Sequence, residues 1–480
     1  MSAASIPPPY PDAGTPADAA LLAGSTVRNH LWQDKRLWHG LIAVVLFAFS
    51  FGVYLHGNET TDFHQDESRW LNRAHYFADL LDPFGPTWED QYLTRGQPPV
   101  GSYVMGIGLM LQGRGPETNL AWDFRRGGGF NTANGMYPSD ADMQAGRRTN
   151  NVLGALAVVA VFFAVTTLTN AAGGIAAALL LVANPLQTWH NRLALADTTL
   201  TLTLALLLLT LVHLMRRPRW SLAILAGVLI GLGGANKFTP MALAAPLAGL
   251  GFLMLVQSWW AGRALKGARL RGWKGFPPFR DVCWMLMSTP LVAGFTFVAV
   301  YPYLWSDPIG RALILLRFRQ REMASQSRIY PDRLIADPVE SFSRTWDYLT
   351  DQWSGTRQFL DQIGLPTLGD ALAGLDIWLA LAGIVALGVL AARNGLRSPH
   401  LMVLAIVVVE SLTVIVSMKT DFERYYLPIV LGNVVTAGVF VGVVCSLVWT
   451  LVGGRLRTER KARVAPWAPG TAVLKEQGGD

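Results

Sequence analysis

The sequence predicts an all-α polytopic membrane protein: a bundle of about ten transmembrane helices with interfacial helices in its long loops. Three observations carry this. Hydrophobic residues make up 51% of the 480 and charged residues only 15%, with a mean hydropathy of +0.30, which does not describe a water-exposed surface. The charges lie between apolar runs of about 16 to 25 residues, and a helix of about 20 residues crosses a hydrocarbon core of about 30 Å. The net charge of +7 sits at the ends of these runs rather than in one stripe interleaved with aromatics, so nucleic acid is not an expected partner. A soluble enzyme and a β-barrel are both excluded.

In chain order, residues 1–36 are rich in Pro, Ala and Asp and lack an apolar core followed by a cleavage site. They read as a disordered cytoplasmic tail and not a signal peptide. The first span runs from about Leu37 to Leu55. Further apolar runs lie at about 149–169, 171–186, 198–215, 220–235, 238–258, 283–304, 376–392, 400–418 and 426–452. Pro98 to Leu111 is a shorter apolar stretch with glycines at 101, 106 and 108 and another just past it at 113, either a short span or a helix in the interface. If it does not cross, Arg216, Arg217 and Arg219, the basic loop 259–281, Arg393 and Arg397, and the C-terminal basic residues share the side of the N-terminus. The opposite short loops carry only Arg192, Lys237, Lys419 and Arg424. The positive-inside rule then places both termini in the cytoplasm.

The expected organisation is a tail 1–36, a catalytic module 37–258 containing an extracytoplasmic loop 56–147, and the basic cytoplasmic loop 259–281. A second module 282–452 follows, with an extracytoplasmic loop 305–374, and then a cytoplasmic tail 453–480. Both long loops hold aromatics, prolines and scattered charges, unlike a linker, and should fold against the membrane face. Arg311, Arg317, Arg319, Arg321 and Arg328 open the second; they either approach lipid phosphate or form a solvated helix face.

Candidate chemistry begins after the first span, in Thr61-Asp-Phe-His-Gln-Asp-Glu-Ser-Arg-Trp70. The acidic pair Asp66-Glu67 at the mouth of a membrane cavity can supply a carboxylate base tuned by its neighbours; alone it is also consistent with a solvated loop. Arg147 and Arg148 stand at the mouth of the run from 149, Arg192 and Asp197 sit five apart, and Asn236-Lys237 interrupts two apolar runs. Each cation on its own can be a snorkelling interfacial residue. Together, beside carboxylates, they suit a phosphate-bearing amphiphile whose tail stays in the bilayer.

These segments, with Gln97-Pro-Pro-Val-Gly101, Tyr137-Pro138, Asn191-Arg192 and the Asn-Lys-Phe ending at Phe238, resemble the ordered motifs of the protein O-mannosyltransferase family over about residues 37–240. The chain is also similar to the aminoarabinose transferases that modify lipid A; both use polyprenyl-phosphate sugars and share the GT-C architecture. The resemblance implies an inverting transfer of a mannose-like or aminopentose-like sugar from a polyprenyl-phosphate donor to a hydroxyl acceptor, protein Ser/Thr or glycolipid. It implies Asp66 as base, Glu67 as its neighbour in the acceptor site, and Arg147 or Arg148 at the donor phosphate. Arg192 and Lys237 are further candidates to stabilise the departing phosphate. The resemblance also implies that the Pro-Pro helix lies along the membrane. This chain departs from the mannosyltransferases in having Gln97 and Ser102 where they have His and Lys, and the 305–374 loop has no room for their large soluble insertion. Protein as the acceptor is less strongly implied for that reason.

In the C-terminal half, Lys419-Thr-Asp-Phe-Glu-Arg-Tyr-Tyr-Leu-Pro428 opens the last run and offers Lys419 and Arg424; interfacial anchoring also explains its tyrosines. Glu410 lies in an otherwise uncharged run, where a carboxylate is costly unless paired, protonated or lining a cavity. A transporter with Glu410 at its centre is the competing class. Cys283 and Cys445 fall at or in apolar runs and suggest packing, not a disulfide. No cofactor is expected; no cluster has zinc spacing, although a divalent metal between Asp66 and Asp197 stays open. Membrane lipids are expected partners.

Overall fold

The computed structural model describes residues 35–267 and 279–463; the expectations for the tail 1–34, for 268–278 within the basic loop and for 464–480 lie outside the described residues. Every regular element among the described residues is helical, and the one β feature is an isolated bridge between Leu334 and Thr420. Eight helices are long and apolar enough to cross a membrane: Lys35–His56, Asp140–Leu168, Asp197–Arg216, Thr239–Trp260, Val282–Ala299, Pro366–Arg397, Pro399–Ser417 and Leu427–Val452. Ala171–Ala183 and Pro185–Asn191 together pass the same test but are bent by 70°. Trp220–Gly234, at 15 residues, is shorter. Each of the ten expected runs thus holds a helix. Apolar side chains such as Val44 (66% exposed) and Phe295 (76%) face outward, a surface suited to lipid and not to water. The protein is a multi-pass membrane protein.

Local chemistry explains where the helices depart from the apolar runs. The second long helix starts at Asp140, not near 149, because Ser139 caps it by accepting from the Asp142 N–H, and Asp140 and Asp142 complement the dipole in its first turn. Arg147 and Arg148 therefore lie inside a helix and not at its mouth. At the 70° bend Asn184 accepts from the Gln187 N–H and Pro185, which has no N–H to give, opens the new helix. The helix Val100–Leu111 has 12 residues, about 18 Å at the ordinary helical rise and too short for a hydrocarbon core. It packs on the 3-10 segment Arg73–Leu81 and on the helix from Asp140.

The two long inter-span segments fold into short helices. The first supplies Gln65–Asn72, Arg73–Leu81 and Val100–Leu111; the second supplies Pro308–Ile329, Pro338–Thr350 and Gly355–Gln362. An aromatic cluster of Tyr76, Trp88, Tyr103, Tyr301 and Tyr303 joins the first to the end of the helix Phe279–Ala299. Within it the Tyr103 hydroxyl donates to the Val300 carbonyl at 2.9 Å, so the loop that carries Asp66 is held to the bundle by buried area and a directed bond.

Candidate active site

The helix Gln65–Asn72 is short and polar, and it forms because its ends are satisfied. His64 caps it: the His64 ring accepts from the Asp66 N–H, and Glu67 Oε2 accepts from the His64 N–H at 3.0 Å. Adjacent residues on a helix point about 100° apart, so Asp66 and Glu67 have separate fates.

Glu67 turns inward. Its Oε1 accepts from Arg147 Nε at 2.8 Å and from the Ala194 N–H at 2.8 Å, and its Oε2 accepts from Arg147 NH2 at 2.8 Å. Arg147 spends its other N–H groups on the carbonyls of Asn58, Thr61 and Asp62 at 2.7, 2.8 and 3.1 Å. The two side chains are 0% and 2% exposed. The expectation placed Arg147 at the donor phosphate and Glu67 in the acceptor site; in the structure each is the other's partner. Every nitrogen of Arg147 is occupied and sealed from a donor phosphate, and Glu67 has no free face for an acceptor. The pair is a buried clamp fastening the Asp66 helix to the helix from Asp140 and to the turn 192–196.

That turn is held by amides. Asn150 Nδ2 donates to the carbonyls of Leu193 and Leu195 at 2.5 and 2.6 Å, Asn151 Nδ2 to Asn191 O at 2.9 Å, and Asn236 Nδ2 to Ala196 O at 3.0 Å. Gly101, in the Pro-Pro-Val-Gly stretch, allows the Val100 helix to approach it: a Cβ there would sit 2.4 Å from Ala196 Cβ and 2.7 Å from Asn236 Oδ1. The turn delivers Asp197, which is buried and ion-paired with Lys237.

Asp66 turns to the other side and is ion-paired with Arg424, with the His64 ring 3.9 Å away. Arg424 comes from the loop between the last two spans. Asp421 fixes that loop by accepting from Arg344 at 3.0 Å, Tyr348 at 2.7 Å and Tyr426 at 2.8 Å. The second long segment thereby positions Arg424. The Tyr425 ring lies 5.7 Å from the Arg424 guanidinium and 5.6 Å from Lys237 Nζ, so one ring gathers both cations. Burial alone would pull the Arg424 guanidinium down; the carboxylates of Asp66 and Asp197 outweigh that and hold it above its ordinary value. Asp66, Arg424 and Lys237 keep 13%, 21% and 22% of their side chains accessible, against 3% for Asp197. The members of the centre open to a ligand are therefore one carboxylate and two cations.

Four other candidates lie apart from this centre. Arg148 is exposed on the outward face that carries Val152 and Leu156. Arg192 bonds the Val53 carbonyl at 2.9 Å and packs where a Cβ on Gly57 would meet its guanidinium at 2.1 Å; its burial lowers its proton affinity. The Lys419 side chain is exposed. Glu410 is buried beside the Thr239 hydroxyl, with no charged partner among the described residues.

Beyond Asp66 along the same helix opens a cleft lined by Arg69, Arg73, Tyr92, Leu93, Gly96, Gln97 and Glu322. Arg73 is held there by Gln97, through Oε1 at 3.0 Å and the carbonyl at 2.6 Å. Among the described residues, no three His, Cys, Asp or Glu side chains gather to hold a metal ion. Among the described residues neither Cys283 nor Cys445 forms a disulfide. Sequence reasoning missed Asn150, Asn151 and Tyr425, which carry no charge; two adjacent asparagines inside an otherwise apolar run were the available signal for the first two.

Fold and site define a multi-pass helical protein with an ionic centre of paired carboxylates and cations at one end of its bundle. Residues 138–270 match the family model described as dolichyl-phosphate-mannose-protein mannosyltransferase, a stretch containing Arg147, Arg192, Asp197 and Lys237 but neither Asp66 nor Arg424. Over that stretch the chain is similar to the dolichyl-phosphate-mannose-protein mannosyltransferases. No curated protein matches it. Among solved structures it is similar to the Saccharomyces cerevisiae protein O-mannosyltransferase Pmt1-Pmt2 complex bound to the sugar donor, at 13% identity over 55% of this chain and 33% of that one, with a TM-score of 0.39. It is similar to ArnT from Cupriavidus metallidurans bound to undecaprenyl phosphate, at 13% identity over 84% and 60%, with a TM-score of 0.44. A third is the Archaeoglobus fulgidus oligosaccharyltransferase AglB with an inhibitory peptide and a dolichol-phosphate, at 13% identity over 91% and 53%, with a TM-score of 0.46. The chain spans less than two thirds of the length of each of these.

Proposed function

We propose that the protein is an inverting glycosyltransferase that moves one sugar, mannose-like or aminopentose-like, from a polyprenyl-phosphate carrier to a hydroxyl acceptor at the extracytoplasmic face. The observation that carries this reading is Asp66, with 13% of its side chain accessible, paired with Arg424, which borders the same Tyr425 ring as Lys237, on a chain matching a glycosyltransferase family model over residues 138–270. The acceptor oxygen forms a bond to C1 as the bond from C1 to the phosphate oxygen breaks with inversion. The acceptor proton passes to the Asp66 carboxylate, and the electron pair of the broken bond stays on the departing polyprenyl phosphate, where Arg424 and Lys237 offset its charge. Asp197 orients Lys237, and the Glu67–Arg147 clamp orients Asp66. The reading assigns no cofactor. The acceptor is a protein Ser/Thr or a glycolipid.

Donor class is the decisive experiment. The cytoplasmic segments this topology allows between spans, of which 259–281 is the longest, are too short for a βαβ unit of about 30 residues or more, so the reading has no nucleotide-binding domain to draw on. Purified protein should transfer sugar from a polyprenyl-phosphate sugar and leave the matching nucleotide sugar untouched. Transfer from the nucleotide sugar in a lipid-free assay would overturn the proposal.

The proposed orientation follows from the distribution of cations. Single cysteines replacing Arg125 and Gln362, both exposed, should react with an impermeant thiol reagent added to intact cells, and one replacing Ala268 should react only after lysis. The reverse pattern would place the site on the cytoplasmic side.

A further inference from the structure

Neither accessible cation of the centre is idle: Arg424 holds Asp66 and Lys237 holds Asp197. For Asp66 this conflicts with its work. A carboxylate whose lone pairs accept from a guanidinium is a weak proton acceptor, because those lone pairs must take the acceptor's proton. A donor phosphodiester presents two unshared oxygens with one negative charge, and a planar guanidinium fork fits that geometry as well as it fits a carboxylate. The backbone under Arg424 is fixed on both sides, by the three bonds to Asp421 and by the buried Tyr426. Its long side chain can therefore change partner by rotation alone. Arg424 and Lys237 both border the Tyr425 ring, at 5.7 and 5.6 Å from its centre, so a phosphate drawn to one cation has the other nearby. Asp197 is nearly sealed while Asp66 is not, so Asp66 is the carboxylate placed to give up its cation.

We propose, resting on the glycosyltransferase reading above, that Arg424 is shared between Asp66 and the donor phosphate. Without donor it occupies Asp66 and the base is silent; the arriving phosphate draws it off and frees the carboxylate for the acceptor hydroxyl. Donor then binds before acceptor, and a hydroxyl reaching an empty site meets no base. The Asp66 carboxylate accordingly competes with the donor for Arg424, and coupling between two such contacts is reciprocal.

The test measures dissociation of a polyprenyl phosphate without sugar from the full-length protein in detergent. Asp66→Asn, although inactive as a base, should bind the lipid phosphate about tenfold tighter than the parent protein, and Arg424→Gln about tenfold weaker, each within the usual span of coupling factors. The double variant should bind like Arg424→Gln alone, because the gain from Asp66→Asn acts through Arg424. If the gain persists without Arg424, it reflects only the loss of a negative charge and the exchange is wrong. If Asp66→Asn binds no tighter while Arg424→Gln binds more weakly, the exchange is again wrong and the phosphate site stands. If neither the parent protein nor Asp66→Asn binds, the glycosyltransferase reading itself fails and the exchange with it. Should Arg424→Gln not fold, Arg424→Lys keeps the charge without the fork, and the gain from Asp66→Asn should shrink in its background.

Discussion

Replacing Asp66 by asparagine should lower turnover about 100-fold or more, the usual scale for losing a positioned general base. Asparagine keeps the size of the side chain and an oxygen that accepts from Arg424, so the fold and the loop 418–426 should be undisturbed. What is lost is the ability to take a proton. The variant should therefore elute and melt as the parent protein does while failing in transfer from a polyprenyl-phosphate sugar. Near-normal turnover in the purified variant would remove Asp66 from the mechanism. A loss of turnover accompanied by a lowered melting temperature would instead make it a structural residue like Glu67. The two adjacent acids thus make opposite predictions from one helix: Asp66 has 13% of its side chain accessible and one cation partner, whereas Glu67 is sealed and bonded through both oxygens.

Much of the architecture was legible in the sequence because hydrocarbon imposes a strict rule: an apolar run of sufficient length must be a helix with its backbone bonds satisfied internally. Each expected run duly holds a helix. The boundaries were less legible where polar residues are helical. The first turns from Asp140 carry Asp142, Arg147 and Arg148 and look like loop, yet the loop that folds over them buries Asp142 and Arg147 and makes them part of the helix. The composition of the site was legible as residue types, since carboxylates and cations beside apolar runs are conspicuous. Their pairing was not. Arg147 and Arg424 are both arginines near a span end, and only tertiary contact shows that the first is locked to Glu67 and the second reaches Asp66 across 358 positions of sequence. Resemblance had pointed to Arg147 or Arg148 for the phosphate; geometry favours Arg424 and Lys237, which are accessible where Arg147 is not.

Arg147→Ala should cost the protein its stability rather than its donor affinity. Removing one member of a buried, hydrogen-bonded ion pair leaves the other charge uncompensated, typically at about 3–5 kcal/mol. Here the loss would strand the Glu67 carboxylate and also free the carbonyls of Asn58, Thr61 and Asp62. Lysine should not rescue, because a point charge cannot reproduce five N–H bonds in a fixed fork. Glu67→Gln should destabilise in the same direction, leaving Arg147 without its counter-charge. Thermal unfolding in detergent, followed by tryptophan fluorescence, should show a clear drop in melting temperature for Arg147→Ala and Arg147→Lys. Lipid-phosphate binding by whatever fraction stays folded should be little changed. The opposite result, an unchanged melting temperature with abolished phosphate binding, would return Arg147 to the donor site and would mean that the clamp opens when the donor arrives. Because Glu67 also accepts from the Ala194 N–H, a clamp that opened would release the turn 192–196 and shift Asp197, so it would move both carboxylates of the centre at once.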